Sequence, residues 1–555
     1  MILVFITLFA STLSYGSTIA ARQDDPELQR VLSGSINALI DLQIKPRKGK
    51  MHPYYDACQK GDGCKNVLPV SGVRNRFWLP SAPFLPRVTN VSGEWGNSMH
   101  FFTKSFGKKN GEGYFSIIDS NMFVTAGVMY PLFFVQDHSQ GELKAVIGRA
   151  LATIDSYKRA GGYSFWKEKQ SWTKKFSVIG PPNLPSRVFE VFGFSRWGGS
   201  EGSGTSGVEP RPGWARYLTD PEFNPSGAEA VFNIPSDADD TALAIITKNL
   251  FGEAGEKIDE DVALFARYRA VDRQFGDGRD AWKGKSSGAY LTWFKSEDLP
   301  IKAALEPSTG VIPFGINNVD CVVVANVLLS LGLTKNLDIE GAFESTELLA
   351  KAIELDQWPE CGLYYPQKMM FPYAAARAYR DGGVSTKRYK NAMKLLMSRL
   401  LAEARTFATS NPKLAGAFPG GFDTSLHLST ALATVALLNL GEEMAQELGL
   451  VGQYKTIVDR AVAFLIKEKT RVRKRFKDDV QQMFDSDREM YVWEAGVFFS
   501  ASQWNVAQWR SQPYTVAIVT EALSKYALGW DKMSESLHNI SKKHLWNGRS
   551  VLYAD

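Results

Sequence analysis

The stretch that decides the fold of this chain reads Ile234-Pro235-Ser236-Asp237-Ala238-Asp239-Asp240-Thr241-Ala242-Leu243-Ala244-Ile245. Three carboxylates within four positions stand before an apolar run of helix-forming residues, so we expect a helix to begin beside Asp237. A side-chain oxygen at that position accepts hydrogen bonds from the free backbone N–H groups of the first turn. One of these acids is therefore expected to be an N-cap.

The same triplet also suits an acid–base site. Carboxylates packed this closely cannot all ionise cheaply once they are shielded from water, so one is expected to keep its proton above its ordinary pKa. The positive end of the helix works against this, because it favours the anion. Two interpretations stay open: Asp237, Asp239 and Asp240 are simply capping residues, or they form a site that holds a protonated carboxylic acid.

A polar or acidic turn followed by a helix of small and apolar residues returns along the chain. These units begin near residues 119, 237, 318, 370, 423 and 513. Amphipathic stretches with apolar residues at spacings of three and four fill several gaps, at 143–151, 342–353, 389–402 and 454–466. The sequence therefore predicts an all-α fold, an (α/α)6 toroid of six inner and six outer helices with loop and short β-hairpin insertions.

The two ends of the chain differ in composition. Residues 1–21 combine a short apolar core with small residues, which predicts a signal peptide and an exported protein. Residues 22–95 are expected to form an extension packed on the toroid. Residues 96–555 are expected to form the toroid, with insertions near 166–233, 275–316 and 480–511. No later segment is apolar for long enough to span a membrane.

Cysteines and glycosylation motifs agree with export. Cys58 and Cys64 bracket a short polar loop and suit a small disulfide, whereas Cys321 and Cys361 lie in surroundings that suit buried thiols equally well. Asn90 and Asn539 begin glycosylation acceptor triplets. The sequence does not define an oligomeric state.

The charge of the chain is mild, at +5 over 555 residues. The basic run at 471–477 is followed at once by two aspartates, so we expect a solvated helix surface and no nucleic-acid partner.

Parallel inner helices would bring their N-terminal turns together at one mouth of the ring. The acids expected there are Asp119, Asp237, Asp239, Asp240, Asp320 and Asp423. Other residues expected to contact a substrate in the central cavity are Tyr364, Tyr365, Phe371, Trp493, Glu494 and Trp504. Aromatic rings at such a site stabilise positive charge through their π faces.

The segment Asp-Ala-Asp-Asp-Thr-Ala at 237–242 resembles the D-x-D-D-T-A signature of class II terpene cyclases, the squalene–hopene and copalyl diphosphate synthase group. The resemblance implies a helical toroid in which Asp239 protonates an isoprenoid double bond or epoxide. Asp237 and Asp240 would then polarise Asp239 or hold its hydrogen-bond network. It implies cyclisation of an isoprenoid without a cofactor; the D-D-x-x-D motif that binds magnesium in class I enzymes is absent near this helix.

Two other function classes fit an exported helical ring. Glycoside hydrolases and polysaccharide lyases need two carboxylates across a groove, and Glu494 opposite Asp239 would supply such a pair for an oligosaccharide. A non-enzymatic binding toroid would use the acids only as caps. A zinc site of Asp320, Cys321 and His427 is disfavoured, because adjacent residues on a helix diverge by about 100°.

Overall fold

The computed structural model describes residues 25–44, 93–102, 114–135, 141–159, 161–170, 177–181, 234–252, 258–271, 273, 286–295, 317–421, 425–472, 488–500 and 507–529. The predicted signal peptide, the Cys58–Cys64 loop and both glycosylation acceptors lie outside these residues. So do Asp423 and Trp504.

Helices make up most of the described residues, as the sequence predicts. In chain order they are α1 Pro26–Leu42, α2 Met122–Leu132, α3 Gly141–Ile154, α4 Ala238–Leu250, α5 Ile258–Arg267, α6 Cys321–Thr334, α7 Ala342–Glu354, α8 Met370–Arg380, α9 Lys387–Ser410, α10 Leu426–Glu447, α11 Val451–Lys467 and α12 Gln512–Leu528. The even-numbered helices begin at or within a few residues of the six predicted positions. None of the helices in the described part of the chain is long and apolar enough to cross a membrane.

The two alternating sets of helices differ in burial. Every residue of α2 is buried, and α6 is buried from Cys321 to Leu331. The odd-numbered helices are one-sided: α5, for instance, buries only Asp261, Val262 and Phe265. Helices buried all round need apolar or small residues on every face, which explains the composition of the even-numbered set.

The even-numbered helices form a closed cycle of contacts. Each packs against the next one in chain order, and α12 returns to pack against α2. The odd-numbered helices lie against this cycle: α7 contacts α6, and α11 contacts α10. Helix α1 falls in the segment predicted to be an extension, and it contacts α12 in the same manner.

Short strands lie beside the helices. They are β1 Gly96–Phe102, β2 Tyr114–Ser120, β3 Lys158–Arg159, β4 Gly162–Tyr163, β5 Glu168–Gln170, β6 Ser177–Ile179, β7 Thr470–Val472, β8 Met490–Val492, β9 Gly496–Ser500 and β10 Ala507–Ser511. Four of them form an antiparallel sheet in the order β2-β1-β10-β9, and the others pair two by two. Since β2 leads into α2 and β10 into α12, this sheet lies at the N-terminal ends of those two helices.

A disulfide joins Cys321 to Cys361, with their Cα atoms 5.3 Å apart. It ties the first residue of α6 to the segment that precedes α8. The backbone N–H of Cys321 also donates to the carbonyl of Cys361 at 3.0 Å. The alternative that these two residues are free buried thiols is therefore not what the structure shows.

Candidate active site

Asp237 begins helix α4 and acts as its cap. Its backbone is extended, with φ −136° and ψ 163°, and its side chain accepts a hydrogen bond from the backbone N–H of Asp240 at 2.8 Å. A short polar side chain in this conformation satisfies one free N–H group of the first turn. The capping role expected from the sequence belongs to Asp237.

Asp239 is the second residue of α4 and is buried. Its Oδ1 accepts a hydrogen bond from Nδ2 of Asn326 at 2.7 Å. Its Oδ2 accepts one from the hydroxyl of Tyr365. Asn326 lies on α6 and Tyr365 on the segment between α7 and α8, so two neighbouring parts of the chain fix both oxygens of this carboxyl group.

The three acids of α4 are all shifted towards the protonated form. Burial raises the pKa of Asp237 to about 7, and the nearby Asp239 contributes in the same direction. Burial and then the charge of Asp237 raise the pKa of Asp240 well above its usual range. Burial also raises the pKa of Asp239, against the opposing effects of its bonds to Tyr365 and Asn326 and of the Arg377 charge. At neutral pH this cluster therefore retains protons that exposed aspartates would have lost.

Arg377 is linked to Asp239 through the side chain of Asn326. Its guanidinium donates to Oδ1 of Asn326 at 2.7 Å. It lies 4.0 Å from the centre of the Tyr373 ring and 4.6 Å from that of Tyr130. A positive charge held between two π faces is stabilised by them, and the Glu521 charge acts in the same direction.

Aromatic rings surround the Tyr365 side of Asp239. The centre of the Tyr365 ring is 5.8 Å from that of Phe123 and 5.9 Å from that of Phe499. Phe123 in turn stacks on Phe498 at 5.3 Å, and Tyr514 lies 5.7 Å from Phe123. These rings come from α2, α12 and β9, so the sheet brings its aromatic residues against the N-terminal ends of the helices.

Tyr364 and Asp320 hold the segment that carries Tyr365. The Tyr364 hydroxyl accepts from Nε1 of Trp293 at 3.1 Å and from Nδ2 of Asn318 at 2.8 Å. Asp320 caps α6 through the N–H groups of its first turn, and its Oδ2 accepts from the backbone N–H of Tyr364 at 3.0 Å. Burial raises the pKa of Asp320 to about 7 against these bonds. Both residues act on the position of Tyr365.

Asp119 joins two tryptophans at the edge of the aromatic cluster. Its oxygens accept from Nε1 of Trp166 at 3.0 Å and from Nε1 of Trp509 at 3.1 Å. Burial raises the pKa of Asp119 to about 7. Trp509 lies 5.1 Å from Phe499, measured between ring centres. Asp119 therefore orients part of the aromatic wall.

The remaining predicted residues within the described part of the chain have other surroundings. Phe371 stacks on Trp358 at 6.3 Å between ring centres. Trp493 is buried and donates to the carbonyl of Leu465 on α11 at 2.9 Å. Glu494 is exposed. These three positions have contacts typical of packing or of the surface.

Two residues of the site were not predicted. Asn326 and Arg377 are polar side chains within helices of apolar and alanine-rich sequence, and both are buried. A single polar residue in such a helix is the signal that would have found them, because a buried polar group needs a partner. Within the described residues, no group of three or more His, Cys, Asp or Glu side chains is placed to hold a metal ion.

Comparison with solved structures finds a distant similarity. The type II terpene cyclase MstE from Scytonema, in a variant bound to geranylgeranyl dihydroxybenzoate, is 12% identical with a TM-score of 0.43, over 90% of this chain and 99% of that one. A variant of the same enzyme bound to merosterolic acid A gives 12% and 0.41, over 90% and 98%. A protein from Actinoplanes gives 14% and 0.38, over 78% and 94%. No known sequence family and no curated protein matches the chain. Similarity at this level transfers no residue role and no substrate.

Proposed function

We propose that this protein is a class II terpene cyclase-like enzyme in which Asp239 protonates an isoprenoid substrate. The observation that carries the proposal is the setting of Asp239: a buried carboxyl group with a raised pKa, held by Asn326 and Tyr365 and bordered by aromatic rings. A general acid that works near neutral pH needs a pKa above that of an exposed aspartate, and burial shifts the pKa of Asp239 in that direction.

The closed cycle of contacts between the even-numbered helices supports the fold that this proposal requires. We infer that this cycle is the inner ring of an (α/α)6 toroid and that the odd-numbered helices are its outer ring. Asp239 lies in the first turn of an inner helix, at the end of the ring where the four-stranded sheet lies. The substrate would then meet the acid at that mouth.

The reaction begins with the transfer of one proton. The π electrons of an alkene form a new C–H bond with the Asp239 proton, and the O–H electron pair stays on the carboxylate. The resulting carbocation is attacked by the next double bond and closes a ring. Loss of a proton from carbon to a base ends the sequence, and Asp239 regains its proton from solvent, so the net change is an isomerisation.

Aromatic side chains have a direct part in this chemistry. Phe123, Phe498, Phe499 and Tyr365 lie together beside the acid. Their π faces attract positive charge and offer no strong nucleophile to trap it. The ring faces would therefore stabilise a cation formed next to Asp239.

The oligosaccharide alternative has less support. A glycosidase pair requires a second carboxylate that faces the acid. Glu494, the predicted partner, is exposed, whereas Asp239 is buried.

Asp239→Asn tests the proposal, because the amide keeps the shape and loses the acidic proton. We expect the variant to fold and to lose about two to four orders of magnitude in cyclisation rate. The substrate panel contains polyprenyl alcohols, their epoxides and prenylated aromatic acids, with neutral and acidic oligosaccharides beside them.

Asp25→Ala is the control for a lost cap. Asp25 caps α1 through the backbone N–H of Glu27 at 2.9 Å, and its loss should cost on the order of 1 kcal/mol in stability without a loss of catalysis at the temperature of the assay. An Asp239→Asn enzyme that retains full activity contradicts the proposal. Turnover of an oligosaccharide that requires both Asp239 and Glu494 would assign the protein to the glycosidase or lyase class.

A further inference from the structure

Arg377 is a buried cation with an unusual set of partners. It is 4% exposed and lies on α8 between the rings of Tyr130 and Tyr373. Among the residues that the structure describes, no carboxylate lies within ion-pair distance of Arg377, and its Nε has no hydrogen-bond partner. Its one side-chain hydrogen bond in this part of the chain goes to Asn326. Burying a guanidinium in this way costs free energy of folding, so we expect the position of Arg377 to serve a function.

The bond from Arg377 fixes the orientation of the Asn326 amide. A guanidinium only donates hydrogen bonds, so the group facing it must be the amide oxygen of Asn326. The NH₂ group of Asn326 then points the other way, where it donates to Oδ1 of Asp239 at 2.7 Å. Arg377 thereby determines that the NH₂ group of Asn326, and not its oxygen, faces Asp239.

This arrangement stabilises the ionised form of Asp239. Oδ1 accepts from Asn326 and Oδ2 accepts from the hydroxyl of Tyr365. Tyr365 in turn lies against Phe123 and Phe499. Hydrogen bonds to both oxygens favour the carboxylate that remains once the proton has left.

We propose that Arg377 is a positioning residue for Asp239: through Asn326 it holds a hydrogen-bond donor against Oδ1, and its positive charge stabilises the carboxylate left after proton transfer. The inference rests on the proposed role of Asp239 as an acid. The charge of Arg377 acts in the stated direction, since it lowers the pKa of Asp239 against the effect of burial.

Several other groups also act on this carboxyl group. Asp239 interacts electrostatically with residues on its own helix, on α6, on the segment before α8 and on α12: Asp237, Asp240, Asp320, Tyr365 and Tyr514. These five acids and phenols are neutral when protonated and negative when ionised, so they cannot supply positive charge at any pH. Arg377 is the cation that acts on Asp239 within the described residues.

The test follows the Asp239 carboxyl group without any substrate. The infrared band of the protonated carboxyl is recorded against pH and assigned by its loss in Asp239→Asn. Arg377→Met removes the charge and frees the Asn326 amide. We expect it to raise the pKa of Asp239 by roughly one unit or more. Arg377→Lys keeps the charge and should give a smaller shift.

Two further variants complete the test. Asn326→Leu breaks the link while Arg377 stays in place, and it should also raise the pKa of Asp239, because it removes a hydrogen bond to the carboxylate. If Arg377→Met does not fold, the Asp239 titration in Asn326→Leu tests the inference instead. Arg405→Met removes an exposed charge on α9 and should leave the Asp239 titration unchanged.

The outcomes separate this inference from the proposed function. A lower melting temperature in Arg377→Met or Asn326→Leu with no change in the Asp239 titration means a purely structural role and overturns the inference. A shifted titration supports it. If the titration shifts but no prenyl substrate is converted by the wild-type protein, the cyclase proposal fails and the positioning of Asp239 by Arg377 stands.

Discussion

Asp237, Asp239 and Asp240 have different partners although they lie within four positions. Asp237 precedes the helix, so its side chain turns back on the first turn. Asp239 and Asp240 are consecutive helical residues whose side chains diverge by about 100°. Asp239 thereby reaches Asn326, while Asp240 stays with Asp237 and leaves its Oδ1 without a partner among the described residues. The spacing therefore gives the three acids different roles. Asp237 is the cap, Asp239 is held by residues outside the helix, and Asp240 is a second group that retains a proton.

The hydroxyl of Tyr365 is expected to set the acidity of Asp239. Tyr365→Phe removes the phenol hydrogen bond, which is the largest of the effects that lower the pKa of Asp239, so the pKa should rise further. Cyclisation should slow at neutral pH, because a weaker acid transfers its proton less readily. The infrared titration of the carboxyl band and the rate with a prenyl substrate measure the two effects.

Tyr389→Phe is the matched control for that change. Tyr389 is also fully buried, and its hydroxyl donates to the carbonyl of Ala375 at 3.0 Å. Its loss should lower stability by about 1 kcal/mol and leave the Asp239 titration as in the wild type. Equal titrations in Tyr365→Phe and the wild type would show that the phenol does not act on the acid.

The sequence predicted the acids of this site but not their partners. Asp237 and its role as a cap follow from local rules, since both the side chain and the N–H group it binds lie within one turn. Asn326 and Tyr365 are 87 and 126 residues from Asp239. Their approach depends on how α4, α6 and the segment before α8 pack, which the pattern of a single helix does not contain.

The even-numbered helices approach their neighbours closely where glycine allows it. A Cβ atom on Gly332 of α6 would lie 1.8 Å from the carbonyl oxygen of Gly382, just after α8. A Cβ atom on Gly127 of α2 would lie 2.7 Å from the Tyr514 ring of α12. The repeated pattern predicted these helices and their starting points. It did not show which small residues form the contacts, because that depends on the neighbouring helix.

Gly332→Ala is expected to destabilise the protein by roughly 1–3 kcal/mol or more, because the new methyl group overlaps backbone that cannot easily move. Gly148→Ala is the control, since Gly148 lies in α3 with nothing within 4 Å of the added Cβ. In that exposed helix the change should stabilise by about 0.5–1 kcal/mol. Melting temperatures measure both, and equal values for the two variants would contradict the close contact of α6 with the segment after α8.

At the scale of the whole molecule, buried acids with raised pKa values make stability depend on pH. The described residues include five: Asp119, Asp237, Asp239, Asp240 and Asp320. Burial is the largest cause of the raised pKa in each of these acids, so the shifts come from the packing of the fold. The even-numbered helices pack against one another in a closed cycle of contacts, and the acids beside their N-terminal turns are buried.

The direction of this dependence follows from proton binding. The pKa of Asp119, Asp237 and Asp320 rises from an ordinary 3.8 to about 7 on folding. Between these values the folded chain holds more protons than the unfolded chain, so the free energy of unfolding falls as pH rises. Burial lowers the pKa of His427, which acts in the opposite direction below its ordinary 6.5. Glu27, Glu354 and Glu447, whose pKa values are lowered by lysine or arginine partners, also act in the opposite direction, but only below their ordinary 4.5.

We therefore expect the protein to unfold at a lower temperature at pH 8 than at pH 5. Asp237→Asn should reduce this difference, because the amide oxygen still caps Asp240 while the charge that disfavours its neighbours is gone. Asp259→Asn, at an exposed position of α5, should leave it unchanged. Melting curves between pH 5 and pH 8 measure all three proteins. A wild-type stability that stays constant or rises over this range would mean that the acids of the ring are ionised, and Asp239 would then have no proton to give.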